Sequence, residues 1–253
     1  VLDDSNFKPY FENIGSVNSY YVMPEEFREN DNFSFDIFVR PDIRKIFNKL
    51  KIDSNKLGDY ARVLTGTPAI DKFYEWGKLI VSENDLYNVK KKFRKFINVS
   101  NIKPYFIEWG KEIRAAKKRV KKPYLIYDEK LVGKNKWAVF EKKKIVIKGT
   151  SLRLTAAYDT EGFANLSLYA VIFKEDHSNY AKTLFHLALL NSNLLNFWYT
   201  KKFATSNVAG NYISFNGIYL EQIPIKNQTG KVSKEIIALT EKILTNTSSE
   251  GYL

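Results

Sequence analysis

The spacing of the apolar residues changes partway along this chain, and this change limits the folds that it can adopt. Residues 144–148 and 166–173 are short stretches rich in Ile, Val and Leu, with the length and composition typical of strands. Beyond residue 183 the apolar positions instead recur every three or four residues, as they do on one face of a helix. We therefore predict a mixed α/β (α+β) fold, in which helices pack on short twisted strands.

Polar residues divide the helical stretch in two. Asn191 and Ser192 interrupt its apolar face, and such residues favour helix caps over helix interiors, so a second helix is predicted to begin there. Residues 210–224 are predicted to form a loop with strand character, and Ser233 is predicted to cap a C-terminal helix. The apolar face consists of Leu184, Leu187, Ala188, Leu194, Leu195 and Trp198.

The first half of the chain contains shorter patterns that are typical of strands and helices. Residues 33–39, 79–81 and 124–127 have the composition of strands. Pro41 suits the first turn of a helix, and residues 111–122 are predicted to form a basic helix that ends before Pro123. The apolar face of the helix at Pro41 consists of Ile43, Ile46, Phe47 and Leu50.

The positive charge is concentrated in one segment. The net charge is +12, but residues 90–148 contain 20 Lys and Arg against 5 Asp and Glu, a balance of +15. The rest of the chain is slightly acidic. Such an asymmetry is expected of a protein that binds the phosphate backbone of nucleic acid. The alternative is that the Lys runs are solvated helix faces without a partner.

The sequence lacks the motifs of the catalytic centres that act on nucleic acid. A methyltransferase that modifies an exocyclic amine uses a Pro-rich loop beside the flipped base, and this chain has no Pro-Pro dipeptide. It also has no Gly-x-Gly turn for S-adenosylmethionine or a dinucleotide, and no P-loop. We therefore expect no catalytic activity from this chain alone, and no bound cofactor.

Metal and nuclease sites have little support. His177 and His186 are nine residues apart, and the chain has no Cys, so no metal site is predicted. Glu141-Lys142-Lys143 and the Pro41-Asp42 pair match short nuclease motifs, which occur often by chance in a Lys-rich chain. A nuclease stays an alternative that a Mg²⁺-dependent cleavage assay tests.

Three segments near the C-terminus carry a family resemblance. Residues 188–199, 211–215 and 219–225 follow one another in the order of the closing segments of the TaqI-like C-terminal specificity domain. This target-recognition domain occurs in type II restriction-modification enzymes and adenine-specific DNA methyltransferases. Residues 57–67 resemble its opening strand and glycine turn, and residues 95–105 resemble a middle segment without its usual Gly and Asp. A further strand of the family is matched by residues 144–147.

The resemblance spans residues 57–226 and implies a domain organisation. Residues 1–56 are predicted to connect to an upstream catalytic domain, residues 57–226 to recognise DNA, and residues 227–253 to form the C-terminal helix. The chain begins at Val1 rather than Met, and we expect it to be part of a longer protein.

The implied function is sequence-specific recognition of double-stranded DNA. The upstream methyltransferase or nuclease domain would bind S-adenosylmethionine, flip adenine out of the helix and methylate it. Type I specificity subunits and phage-defence methyltransferases carry similar domains, so a specificity subunit of a multi-chain restriction-modification complex is an alternative. A non-specific module for single strands or RNA and a protein-interaction domain with incidental basicity are two more.

The predicted DNA-binding residues fall into two groups. Basic side chains are expected to bind phosphates, and turns with Gly, Ser, Thr or Asn are expected to bring hydrogen-bonding groups to base edges. Arg153 is expected to bind guanine through a bidentate contact. The full set is Thr65, Thr67, Lys72, Lys103, Lys117, Lys118, Arg119, Lys148, Thr150, Ser151, Arg153, Thr205, Ser206 and Asn207.

The cellular setting is predicted from what the chain lacks. No apolar run approaches the roughly 18 residues that a membrane span needs, so a soluble protein is expected. The absence of Cys suits the reducing cytoplasm of a prokaryotic cell.

Overall fold

The computed structural model describes residues 39–68, 70–115, 117–175, 179–203, 207–208 and 211–249, together with Glu25 and Arg28. The chain divides into two compact units, residues 1–49 and 50–253. Helix α1 (Pro41–Lys51) begins at Pro41 as predicted, and Phe47 on its apolar face is buried. All but the last residue of the strand predicted at 33–39 lies outside the described residues.

An antiparallel four-stranded sheet, here called the central sheet, is the framework of the second unit. The order of its strands is β10-β8-β12-β2, and the strands predicted at 144–148 and 166–173 are confirmed as its two inner members. The first four side chains of β8 are buried, as expected for a strand covered on both faces. Its strands are β2 (Ala61–Thr65), β8 (Lys144–Lys148), β10 (Ala156–Asp159) and β12 (Leu168–Phe173).

A second four-stranded sheet has the order β11-β4-β7-β3, in which β11 is parallel to β4. The strands predicted at 79–81 and 124–127 are confirmed as β3 and β7. Phe96 of β4 and Leu125 of β7 are buried in a cluster with Trp76 and Phe140. Its strands are β3 (Ile80–Ser82), β4 (Phe93–Ile97), β7 (Pro123–Ile126) and β11 (Ala164–Asn165).

The segment predicted as a basic helix is a β-hairpin, so that prediction was wrong. Strand β5 (Ile113–Ala115) pairs with β6 (Lys118–Val120), and Ile113, Ala115 and Val120 are buried in the same cluster as Trp76. Lys and Ala favour helix locally, but burial of the alternate apolar residues overrides this weak preference.

Two helices meet at the polar break in the Leu-rich stretch, as predicted. Helix α5 (Tyr180–Leu190) ends at Asn191, and Ser192 caps helix α6 (Asn193–Lys202), accepting a hydrogen bond of 3.2 Å from the backbone N of Leu195. Leu184, Leu187, Leu195 and Trp198 of the predicted apolar face are buried, whereas Leu194 is exposed.

The C-terminal helix α8 (Gly230–Ser249) is present, but Ser233 does not cap it. The helix begins three residues earlier, and the Ser233 hydroxyl donates to the backbone O of Thr229 over 2.8 Å. Residues 210–224 contain strand β14 and a short helix α7 (Gly217–Leu220). Among the described residues, no helix is long and apolar enough to cross a membrane.

The remaining elements are short. Strands β1 and β15 pair with each other, while β9, β13 and β14 form a three-stranded sheet in the order β13-β14-β9. The strands are β1 (Ser54–Lys56), β9 (Thr150–Ser151), β13 (Asn207–Val208), β14 (Tyr212–Ser214) and β15 (Pro224–Lys226); the helices are α2 (Leu57–Tyr60), α3 (Phe73–Lys78) and α4 (Lys134–Glu141); the 3₁₀ turns are Ile70–Lys72, Glu83–Asn88 and Val99–Asn101.

Candidate nucleic-acid interface

Two of the predicted DNA-reading turns lie at the same end of the central sheet. Strands β2 and β8 end there, because their last residues, Thr65 and Lys148, both pair with the start of β12. The turn at residues 65–67 and the turn at residues 148–151 are separated by 81 positions or more in the sequence, yet they flank the same strand. Strand pairing therefore places them side by side.

Ser167 joins the two turns. Its backbone O accepts a hydrogen bond of 2.9 Å from the N–H of Gly149, and its own N–H donates to Thr67 Oγ1 over 3.2 Å. Ser167 is exposed, with a φ of 59° in the left-handed region. We call residues 65–67, 148–151 and 167 the sheet-end surface.

The third predicted turn connects to the second through the small sheet. Thr205 and Ser206 lie outside the described residues, but Asn207 begins β13. Strand β13 pairs with β14, and β14 pairs with β9 of the sheet-end surface. The sequence predicted three separate candidate turns, and the strand pairing links the third to the other two.

The hydroxyl groups of the sheet-end surface differ in exposure. Thr65 and Thr150 are exposed, and Thr67 is partly buried. Thr65 Oγ1 accepts a hydrogen bond of 3.1 Å from the N–H of Thr67, which shapes the turn. Ser151 is buried and its hydroxyl donates to the backbone O of Arg153. Thr65 and Thr150 are therefore better placed than Ser151 to meet a ligand.

Lys148 of this surface and Lys103, both predicted to bind DNA, are near enough for the charge of one to affect the other. Burial, and secondarily the charge of Lys103, hold the pKa of Lys148 below its ordinary value. Lys103 is exposed, with its Nζ 4.0 Å from Glu108 Oε2. Its loop is tied to β10 by the N–H of Tyr105, which donates to Ala156 O over 2.8 Å. Two lysines near each other, one of them half-buried, favour binding of an anion.

Arg153 is held at the junction of α5 and α6. One of its guanidinium nitrogens, Nη2, donates to Asn191 O and to Asn193 Oδ1, each over 3.0 Å. These contacts give Arg153 a role in positioning the chain that follows β9. The bidentate contact with guanine stays a prediction, for which the guanidinium would need to present its remaining N–H groups.

Lys72 stands apart from the other predicted residues. It is exposed and ends the 3₁₀ turn Ile70–Lys72, just before helix α3. Among the described residues, no hydrogen bond or ion pair joins it to the sheet-end surface. Its predicted role in fixing a phosphate stays a prediction.

The other predicted basic residues lie at the tip of the β5–β6 hairpin, here called the basic hairpin. Lys117, Lys118 and Arg119 are all exposed, and Lys117 turns the chain with a φ of 69°. Arg119 Nη1 lies 3.4 Å from Glu112 Oε1. In the described part of the chain, Lys117 and Lys118 form no ion pair. The tip therefore presents positive charge to solvent.

Several other basic residues of the segment 90–148 pair with carboxylates, one of them inside the fold and the rest at the surface. Lys144 of β8 is fully buried in an ion pair with Asp159 of β10, where the Asp159 carboxylate also accepts from the backbone N–H groups of Gly162 and Phe163. Further pairs are Lys91 with Asp128, Arg94 with Glu141, Lys95 with Glu161, Lys111 with Glu108, and Lys122 with Glu83. Three of these carboxylates, Asp159, Glu161 and Glu83, lie outside residues 90–148, so the balance of +15 counted for that segment overstates the charge that is free to bind phosphates.

Glu141, the glutamate of the nuclease-like triplet, is bound by side chains of the fold. Glu141 Oε1 accepts from Trp137 Nε1 over 2.9 Å and lies 3.2 Å from Arg94 Nη2. Among the described residues, no three His, Asp or Glu side chains are grouped so as to hold a metal ion. The geometry of Glu141 favours a role in packing.

Two asparagines of the Leu-rich stretch bond to residues 154–156, the segment that follows the sheet-end surface in the sequence. The sequence analysis did not predict this role. Asn191 is buried, and its side chain bonds both the N–H and the O of Ala156 over 3.0 Å. Asn196 Oδ1 accepts from the N–H of Leu154 over 2.8 Å. Polar residues within an otherwise apolar stretch were the available signal, because a buried amide needs partners.

Comparison with known proteins identifies the family of most of this region. The family model described as the TaqI-like C-terminal specificity domain matches residues 94–225, just over half of the chain. A search of curated proteins found no match. The match contains β8, β9, β12, α5, α6 and β14, whereas residues 57–93, with the turn at Gly66, precede it.

A specificity domain is the part of a restriction-modification enzyme that recognises DNA sequence, so the match supports that role for this chain. Helices α5 and α6 and the turn at residues 148–151 lie within the matched range. The chain belongs to the family of TaqI-like C-terminal specificity domains.

Proposed function

We propose that this chain reads the sequence of duplex DNA for an adenine-specific DNA methyltransferase or a type II restriction-modification enzyme, and that the sheet-end surface contacts the base edges. The observation that carries the proposal is the meeting of two glycine turns around Ser167, in a chain that belongs to a family of specificity domains. Backbone groups and short hydroxyl side chains at strand ends approach a groove closely.

The basic hairpin contributes affinity for DNA, and the sheet-end surface contributes discrimination between sequences. Lys117, Lys118 and Arg119 bind phosphates and release counterions, which adds affinity for every sequence. Thr65 and Thr150 provide hydrogen-bonding groups for base edges, where one good bidentate contact is worth about 1–3 kcal/mol of discrimination. Lys103 and Lys148 fix a phosphate beside them.

The catalytic step belongs to another part of the parent protein in this proposal. An upstream domain would bind S-adenosylmethionine, take the flipped adenine and transfer the methyl group to it. Support comes from the family match and from the missing Pro-Pro and Gly-x-Gly motifs of this chain. Defence against foreign DNA is the biological role that such a parent would serve.

A salt titration and a sequencing experiment test the proposal together. The chain is mixed with duplex DNA from low to moderate salt, and a linear loss of log affinity with log salt is expected. The methylated sites of the intact parent are then sequenced with Arg153 replaced, and with the residues of each of the three turns, 65–67, 148–151 and 205–207, replaced. A changed or relaxed motif is expected, and an unchanged motif after replacement of all three turns would place the reading surface elsewhere.

An aromatic cleft favours a second candidate function, binding of single strands or RNA. The cleft has a volume of about 630 Å³ and is lined by Tyr105, Trp109, Tyr158 and Tyr180, with Lys95 4.7 Å from the Trp109 ring. Bases stack on exposed aromatic rings regardless of sequence. Competition between duplex DNA, single-stranded DNA and RNA separates the two functions, since the first proposal expects the duplex to bind most tightly.

A further inference from the structure

A cavity of about 330 Å³ lies behind the turn at Gly66, between that turn and helix α4. Its volume is at the small end of the range for ligand pockets. Most of its lining is apolar, and it is open at one side. The apolar lining comes from Leu64, Val139, Phe140 and Ala170.

One wall of this cavity carries an amide that the fold leaves without partners. Asn165 is completely buried, and neither its Nδ2 nor its Oδ1 has a hydrogen-bond partner in the structure. Leaving a buried polar group unpaired costs about 1–3 kcal/mol, so such a group marks a place where a partner is missing. A primary amide presents a donor and an acceptor side by side, as the edges of nucleobases do.

The cavity also has a cationic group. Lys136 of α4 is half-buried, and its Nζ donates to Thr67 O over 2.8 Å and to Gly66 O over 3.4 Å. An ammonium has three donors, so one remains for a ligand. Burial lowers the pKa of Lys136, and an anion in the cavity would restore the interactions that burial removed.

Asn165 is packed tightly against the glycine of the turn. A Cβ at position 66 would lie 1.7 Å from Asn165 Oδ1 and 2.8 Å from Asn165 O. No side chain is tolerated at this position without displacing the amide. The turn that belongs to the sheet-end surface is therefore built against the polar wall of the cavity.

We propose that this cavity binds the base of a single nucleotide: the Asn165 amide turns into the cavity and bonds to the base edge, the ring lies against Phe140 and Val139, and Lys136 bonds to an acceptor or phosphate of the same nucleotide. The proposal rests on the proposed function in one respect: the nucleotide comes from DNA held at the sheet-end surface. Displacing a base from its stack costs a few kcal/mol, which a shaped pocket with a complementary edge offsets.

The first test uses free nucleotides and the whole chain. Deoxyadenosine and thymidine 5′-monophosphates are titrated while the side-chain amide resonances of Asn165 are followed by NMR. At least one nucleotide is expected to shift them, with binding about tenfold weaker, or about 1.4 kcal/mol, in Asn165→Leu and in Lys136→Met. The matched control is Lys134→Met, on the same helix but exposed and paired with Glu129 at 3.1 Å, which is expected to leave binding unchanged.

The second test asks whether DNA supplies the base. A duplex with one weakly paired 2-aminopurine is added at low salt, and its emission is expected to change with the wild-type chain and with Lys134→Met. With the Asn165→Leu variant, the protein concentration at the midpoint of the emission change is expected to be about tenfold higher than with the wild type. Duplex affinity itself, measured by anisotropy, is expected to stay within about twofold, because the phosphate contacts remain.

The outcomes separate this proposal from the proposed function. Salt-dependent duplex binding without any response of the Asn165 resonances or of 2-aminopurine overturns the pocket and leaves DNA recognition standing. Nucleotide binding without duplex binding supports the pocket and overturns DNA recognition. If Asn165→Leu folds with higher stability and binds nucleotides as well as the wild type, the amide is bonded to water and the pocket proposal is wrong.

Discussion

The sheet-end surface and the basic hairpin were both predicted to bind DNA, and they are built on opposite principles. The sheet-end surface has exposed hydroxyls and glycine turns fixed by the backbone bonds of Ser167. The basic hairpin presents charged side chains on a two-stranded turn, anchored by buried Ile113 and Val120. Fixed donors and acceptors distinguish one base from another, whereas mobile charges attract every phosphate equally. The groups with positions fixed by hydrogen bonds thus lie on the surface that is proposed to recognise the base sequence.

The largest effect is expected from Gly66→Ala. The new Cβ would meet both the side chain and the backbone of Asn165, which overpacks a buried site and destabilises the fold by about 3 kcal/mol. Gly230→Ala is the comparison, since a Cβ there meets nothing within 4 Å and only its φ of 74° is unfavourable, at about 1–2 kcal/mol. Urea unfolding measures both. Equal losses would show that the turn is not tightly packed.

Removal of the Asn191 side chain is expected to be nearly as severe. Asn191→Ala leaves the buried N–H of Ala156 without its partner, and Ala156 O keeps only the bond from the N–H of Tyr105, a loss of about 2 kcal/mol. The neighbouring change Asn193→Ala loses only an exposed bond to Arg153 and should cost less than about 0.5 kcal/mol. Chemical denaturation of the two variants checks the difference. Similar values would mean that Asn191 does not hold the segment beside the sheet-end surface.

A smaller effect, mainly on sequence selectivity, is expected from the exposed hydroxyls. Thr65→Val and Thr150→Val should each reduce the difference between the preferred and a random duplex by about 1–2 kcal/mol. Thr65→Val also loses the hydrogen bond from the N–H of Thr67, which should lower stability by about 1 kcal/mol. Thr229→Val, an exposed hydroxyl just before helix α8, is the matched control. Binding to the methylation motif of the parent and to a scrambled duplex gives the measurement. Unchanged selectivity in both variants would break the distinction between the two regions.

The basic hairpin is expected to have the smallest effect on selectivity. Replacing Lys117, Lys118 and Arg119 with Ala should weaken both duplexes alike and lower the slope of log affinity against log salt by about 2.7, for three lost phosphate contacts. A selective loss on the preferred sequence would contradict the assignment. A control with equal charge change replaces three exposed lysines of α8 and should leave the slope unchanged: Lys231, Lys234 and Lys242.

Local patterns were sufficient for the elements whose apolar period is continuous. Strand β8 and the paired helices α5 and α6 lie where the sequence places them, because burial acts on the same residues that create the period. The hairpin at residues 111–122 was mispredicted because its three buried apolar residues belong to a cluster that also contains Trp76 and Ile80. Those two residues are more than 30 positions away in the sequence, and no local pattern records them.

The sequence by itself determined the fold class, the family and the list of candidate turns. Each depends on residue order within short segments, such as the asparagines and leucines of residues 188–199. Only the tertiary structure decided that the turns at Gly66 and Gly149 meet at Ser167, that Arg153 is bound by the helix junction, and that Asn165 is buried without a partner. The two turns become neighbours because β12 pairs with β2 across about 100 positions and with β8 across about 20, and antiparallel register fixes which residues share one end of a sheet.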